Sequence, residues 1–398
     1  MKSRDQYLAL YAEPESRNVP LPLKFDRAVT IPSLGEDLDR VLSSLRFAAH
    51  HSALRPLFII VVNNRTDHSA SLIAANRHLL DSVLPTAEPL TTGLYWVAPD
   101  RLIVDRSTLP FPPKQGVGLA RKIGCDIALR LIAQGSVLSR WIHCTDGDCE
   151  VPEDYFTIAP PDGTAACVYN FEHVLDWSRP YEAEALQLYD QSLRCYVEGL
   201  KHAGSPYAHQ SLGSTLALHS DSYAMVRGFP KTAAAEDFYL LNKLAKVGRI
   251  ETLTQPTIRI HQRISDRVPF GTGVSTRKIS EDLEAGRNYQ VYHPAIFDHL
   301  ATFLKGTDCL SRQPPSPEQL DTLWKEGPEG AEEAWEIAQR TRTTPEQRRK
   351  HFHDWFDAFR TLKYVHHLRD HRYGVAPIAT SVTKLSDRLP GSQPLPLQ

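Results

Sequence analysis

Two acidic residues separated by one glycine, Asp146-Gly147-Asp148, follow the apolar run Trp141-Ile142-His143-Cys144. Carboxylates at this spacing can share a hard divalent cation, Mn2+ or Mg2+, and leave positions open for phosphate oxygens. A metal held there would offset the charge that builds on a departing diphosphate. The same triplet also reads as an acidic turn that ends a strand. A second acidic pair, Glu236-Asp237, precedes Leu240, Leu241, Leu244 and Val247, which share one helical face. Acids in a first helical turn complement the helix dipole, worth about 0.3–1 kcal/mol. Facing a cleft, one of them can instead take the proton of an attacking hydroxyl. The third element is His261, closing Thr257-Ile258-Arg259-Ile260; a lone histidine there is either structural or a third metal ligand.

Other clusters weigh less. Ser265 to Gly273 is rich in glycine and carries Arg267, which reads as a lid whose arginine pairs with phosphate or as a plain loop. His351, His353, His366, His367 and His371 interleave with Phe352, Trp355, Phe356, Phe359 and Leu362 at helical spacing. That pattern predicts an amphipathic helix with its aromatics packed down and its histidines in water, rather than a zinc centre. Lys114 to Gly118 lacks the spacing of a phosphate-binding loop.

The elements that must position these residues follow an α/β rhythm. Ala28 to Ile31 is a strand, Glu36 to Ala49 a helix, and Phe58 to Val62 an all-apolar strand of the kind buried on both faces of a parallel sheet. Ser69 to Leu84 and Gly118 to Ala133 are helices, Tyr95 to Val97 and Ser139 to Cys144 strands. This order predicts a mixed, mainly parallel sheet flanked by helices. Residues 1–25 read as an irregular lead-in, and Tyr181 to His202 as a helical insertion within about 175–210. Strands follow near 166–169, 214–219 and 257–261, with a helix over 235–247. Past Gly273 only helices are expected, over 316–340 and 344–371 within an extension spanning 276–389, then a disordered tail, 390–398.

Composition bounds the partners. The chain has 398 residues with 45 basic and 47 acidic, a net charge of −2 that gives no general basic face to nucleic acid. Six cysteines without a C-x-x-C pair read as small apolar thiols of a reducing compartment. No apolar run reaches membrane-spanning length, so the expectation is a cytoplasmic protein, with peripheral contact at the inner membrane face left open.

In this order the pieces resemble glycosyltransferase family 2 enzymes of the GT-A fold, over roughly residues 26–275. Val29 to Pro32 looks like the opening strand and nucleotide loop, Val61 to Asp67 like the second strand, Gly118 to Gly124 like the arginine-bearing helix start near the donor. Val226-Arg227-Gly228-Phe229 with Glu236-Asp237 is similar to the acceptor loop and base. Asn63 stands where an aspartate is common, Arg227 replaces the first glycine of Gly-Gly-Phe, and no Gln-x-x-Arg-Trp motif is present. The resemblance implies transfer of a sugar from a UDP- or GDP-linked donor to a hydroxyl of a saccharide, lipid-linked or small-molecule acceptor, by inversion. It implies a divalent metal on Asp146, Asp148 and His261, and Asp237 as base with Glu236 beside it. Nucleotide-sugar contacts would come from Pro32, Asn64, Asp67, Arg121, Asp146 and Arg267. Retention of configuration, a sugar nucleotidyltransferase, and a non-catalytic carbohydrate-binding or scaffold protein are the rival readings. The C-terminal helices leave room for a homo-oligomer.

Overall fold

The computed structural model describes residues 3–21, 23–261, 272–312 and 316–388. Ten strands form one sheet: β1 (Arg27–Ser33), β2 (Pro56–Arg65), β3 (Glu88–Thr91), β4 (Leu94–Val97), β5 (Arg101–Phe111), β6 (Trp141–Cys144), β7 (Cys149–Glu150), β8 (Thr164–Val174), β9 (Leu216–His219) and β10 (Arg249–His261). Their spatial order is β3-β4-β5-β2-β1-β6-β9-β8-β10-β7. The block β5-β2-β1-β6 is parallel, β8 pairs β10 in parallel, and β4, β7 and β9 run against the rest. The sheet is therefore mixed and mainly parallel, as its α/β pattern requires.

β2 explains why the centre holds. Leu57, Ile59 and Val61 point to one face and pack with the helix Val117–Gln134; Phe58, Ile60 and Val62 point to the other and pack with the opposite layer. The helices of this unit are α1 (Ser3–Leu10), α2 (Asp39–His51), α3 (Ala70–Val83) and α4 (Val117–Gln134), with α6 (Ser220–Met225) and α7 (Glu236–Leu244) later in the chain. α4 lies on β1 and β2 and is buried over most of its length, its charged residues Arg121, Lys122 and Asp126 included.

The lead-in departs from expectation. Residues 3–10 are helical, and Tyr7 is fully buried. Its hydroxyl donates to Asp126 Oδ1 of α4 at 2.6 Å and accepts from Lys122 Nζ. Asp126 also accepts from Tyr223 Oη at 2.9 Å, Glu13 N–H at 2.8 Å and Lys122 Nζ at 3.0 Å. A buried carboxylate survives only when its oxygens are satisfied in this way. β10 is longer than expected because it continues past Pro256 with a register shift between Thr252 and Thr257.

A second compact unit comprises residues 177–210 and 276–398. The helix expected as an insertion, α5 (Pro180–His202), groups there with the helices of the C-terminal extension. The two long helices expected in that extension are each divided. Ser316 and Thr344 open Pro317–Lys325 and Pro345–Trp355 with capping boxes, and Asp357 caps Ala358–Leu368. Gln290–Tyr292 and Val375–Pro377 pair as a short antiparallel ribbon, where no strand was expected. No helix among the described residues is long and apolar enough to cross a membrane.

Replacing Tyr7 by phenylalanine removes one donor to Asp126 and one acceptor for Lys122 without changing volume. We expect a loss of about 1–3 kcal/mol in urea denaturation, the cost of a buried polar group left short of a partner.

Candidate active site

β1, β2 and β6 run parallel, so Ser33, Arg65 and Cys144 finish at one edge of the sheet, where open α/β sheets take ligands. The chain leaves β6 through Thr145-Asp146-Gly147-Asp148 and rejoins the sheet as β7, beside the end of β10. Both ends of the acidic loop are tied. Thr145 N–H donates to the Thr30 carbonyl at 3.1 Å, and His261 N–H to the Asp148 carbonyl at 2.9 Å.

Arg121, in the second turn of α4, reaches this loop. Its Nη2 lies 2.9 Å from both Asp146 oxygens and donates to Oδ2, while Nε donates to Glu236 Oε1 at 2.9 Å. Arg121 and Glu236 are only 3% and 4% exposed, so the pair is screened little by water. Burial alone would lower the arginine's pKa, but Asp146 and Glu236 outweigh it and hold the value well above the ordinary one. Space for the guanidinium comes from Gly213, where a Cβ would sit 2.7 Å from its central carbon.

Asp237 follows Glu236 and is half-buried. Ala235 turns the chain into α7 with a left-handed φ of 59°, which brings both acids into the first turn. Asp237 accepts from its neighbour Phe238 N–H at 2.7 Å and from Gly213 N–H. Burial first, and then repulsion from Glu236, pushes its carboxyl up to about 7; the two amides and Arg121 counter this in part.

His261 sits differently from expectation. Its Nε2 lies 2.8 Å from Glu150 Oε2, and Glu150 also pairs with Arg259 at 3.2 Å. The hydrogen bond to His261, helped by Arg259, holds the Glu150 carboxyl below its usual range. Among the described residues no three His, Cys, Asp or Glu side chains gather as a metal centre. Asp146 and Asp148 nonetheless offer hard oxygens, and the buried Asp146 Oδ1 has no hydrogen bond. In donor type the two carboxylates fit a divalent cation; Glu150 engages Nε2 of His261.

The remaining expected donor contacts are scattered. Pro32 is buried within β1, opposite Val61. Asn64 is 3% exposed; it accepts from Asn76 Nδ2 at 2.7 Å and donates to the Ser107 carbonyl at 3.4 Å. Its amide is thus spent inside the fold, as is that of Asn63, which donates to the Ser33 carbonyl at 3.0 Å. Asp67 is exposed and pairs with Arg65 at 2.8 Å. Arg267 lies outside the described residues. Arg121, expected beside a nucleotide, joins the two acidic motifs. Glu150 and Gly213 carried no local signal, since each matters only through a partner about a hundred residues away. A cavity of about 590 Å³ between α2 and α3, floored by Ile60, Val62 and Ile103, is lined by none of these residues.

Arg121→Met would strand two carboxylates, one of them fully buried. It should cost about 3–5 kcal/mol in chemical denaturation, whereas a surface arginine would cost almost nothing. Asp237 has its folded pKa raised from 3.8 to about 7, so its stabilising share is complete below the unfolded value and is lost as pH rises through 7. Asp237→Asn, which never charges, should therefore raise the melting temperature over the parent at pH 8 and much less at pH 4. Equal shifts at both pH values would contradict the raised pKa.

No protein-family model matches the chain, and no curated protein matches it in sequence. Solved structures that overlap it include two with bound nucleotide. A mannosyltransferase from Pyrobaculum calidifontis, in complex with GDP-Man and Mn2+, is 13% identical, with 99% of this chain and 86% of that one covered, at a TM-score of 0.36. Glucosyl-3-phosphoglycerate synthase from Mycobacterium tuberculosis, with Mn2+, UDP and glucosyl-3-phosphoglycerate, is 12% identical, with 68% and 85% covered, at a TM-score of 0.32.

Proposed function

We propose that this chain is a metal-dependent glycosyltransferase that moves a sugar from a nucleotide-diphospho-sugar, UDP- or GDP-linked, to an acceptor hydroxyl with inversion. One observation carries the reading. Asp237, its carboxyl lifted to about 7, stands beside Glu236, and Arg121 ties Glu236 to Asp146 of the strand-end acidic loop. A carboxylate basic enough to take a proton near neutrality is thereby joined through one guanidinium to the carboxylates suited to a cation. The resemblance of the ordered motifs to family 2 points the same way.

Asp146 and Asp148 would hold the divalent metal, Mn2+ or Mg2+, which when bound offsets charge on the leaving diphosphate. His261 would join them through Nδ1, with Nε2 held by Glu150. Arg121 orients Asp146 and sets Glu236 so that Asp237 follows it into the first turn of α7. Asp237 Oδ takes the proton of the acceptor hydroxyl as that oxygen bonds to the anomeric carbon. The bond to the diphosphate breaks on the opposite face, and configuration inverts. The base is active when ionised, so the rate should rise with pH through about 7 and then level off.

The test is transfer from UDP- and GDP-sugars with Mn2+ present. Asp237→Asn should lower kcat by about 10²–10⁴-fold and flatten the limb near pH 7, with donor affinity kept. Asp148→Ala should abolish metal-dependent transfer. Full metal-dependent activity in Asp148→Ala would overturn the assignment, and NMR of the product's anomeric proton decides between inversion and retention.

A further inference from the structure

The segment ahead of β1 touches the chain that leads into α7 at three points. A Cβ at Gly228 would meet the Tyr7 hydroxyl at 2.6 Å. Arg227, left-handed at φ 65°, lays its guanidinium 4.4 Å above the Tyr11 ring. Glu13, with a side chain only 10% exposed, accepts from Lys231 Nζ at 2.7 Å and lies 3.9 Å from Lys122. The segment is itself anchored, because Tyr7 and the Glu13 N–H both donate to Asp126 of α4. From the other side, Gly118 N–H of α4 donates to the Thr232 carbonyl at 3.2 Å.

The stretch so held is Pro230-Lys231-Thr232-Ala233-Ala234-Ala235. It has no large apolar side chain to bury, and Ala235 takes a left-handed backbone conformation that only its surroundings can maintain. Loops with little apolar burial open at low cost unless polar contacts hold them. Arg121 fixes Glu236 at the far end, and Glu13 is the charged group that fixes Lys231 at the near end.

We propose that Glu13, acting through Lys231, is a positioning residue that holds the 230–235 loop so that Glu236 and Asp237 are delivered in register. The catalytic part of this inference rests on the base role given to Asp237; the mechanical part does not.

The experiment uses the full chain with Glu13→Gln, Lys231→Gln, the double variant, and Glu15→Gln as a control. Glu15 belongs to the same segment but pairs with Arg106 at 3.2 Å. Two quantities are read: amide hydrogen exchange over residues 229–240, and kcat with the KM for donor. Each single variant should speed exchange in the loop several-fold, and the double should add nothing beyond either, as partners in one contact do. The control should leave exchange unchanged. kcat should fall about tenfold, the scale of a small misplacement of a reacting group, with KM for donor held. Unchanged exchange in both single variants, or additive effects in the double, overturns the proposal, as does a loosened loop with undiminished kcat. Lys231 is half-exposed, so its variant keeps the test open if Glu13→Gln folds poorly. If the parent protein transfers no sugar from any donor, the functional reading falls, and exchange alone decides whether Glu13 holds the loop.

Discussion

A guanidinium removed from water and set between two carboxylates organises this molecule. Arg121 can occupy its place only if α4 packs closely on β1 and β2, if residue 213 has no side chain, and if the loops after β6 and before α7 arrive together. A buried ion pair is weak evidence for added stability, because desolvation cancels much of the attraction. It is stronger evidence for specificity of arrangement, since any alternative packing leaves a charge alone in the interior. Strand β6, helix α4 and helix α7 are thereby made mutually dependent at the point where chemistry is expected.

The neighbouring carboxylates divide into distinct electrostatic roles. Asp146 and Glu236 are matched by Arg121, Glu150 by His261 and Arg259, and Asp126 by Lys122 and three neutral donors. Asp237 is next to a negative charge with only amides and a distant share of Arg121 to balance it. The same functional group is therefore held below its usual range at Glu150 and made proton-hungry at Asp237, which is how a site obtains both a charge and a base from carboxylates.

What could be read from the sequence was what depends on local pattern. The apolar run of β2, the acidic triplet after β6 and the helix behind Glu236-Asp237 announce themselves by periodicity and position. The sheet class follows from their alternation. Pairings at long range did not show. Arg121 and Glu236 are 115 residues apart, His261 and Glu150 are 111 apart, and nothing near His261 signals that its imidazole has a partner other than a metal. Helix α1 was hidden for a related reason. It is short and polar, and its place depends on one tyrosine entering a buried polar network rather than on an apolar stripe. In the C-terminal extension the aromatic periodicity was legible while the breaks were not, because Asp357 in a continuous helical pattern looks like an ordinary polar position until its side chain is seen capping Arg360 N–H.

Helix α1 has a practical consequence for anyone cutting the gene. By sequence resemblance the recognisable domain starts near residue 26, and a fragment begun there would look complete. It would lack the phenol that shares Asp126, the ring beneath Arg227 and the carboxylate on Lys231. Such a fragment would also leave Asp126 buried and short of two donors, and its α7 approach would lose one of its two walls. The functional boundary of this unit, unlike the boundary visible by likeness, lies ahead of Tyr7.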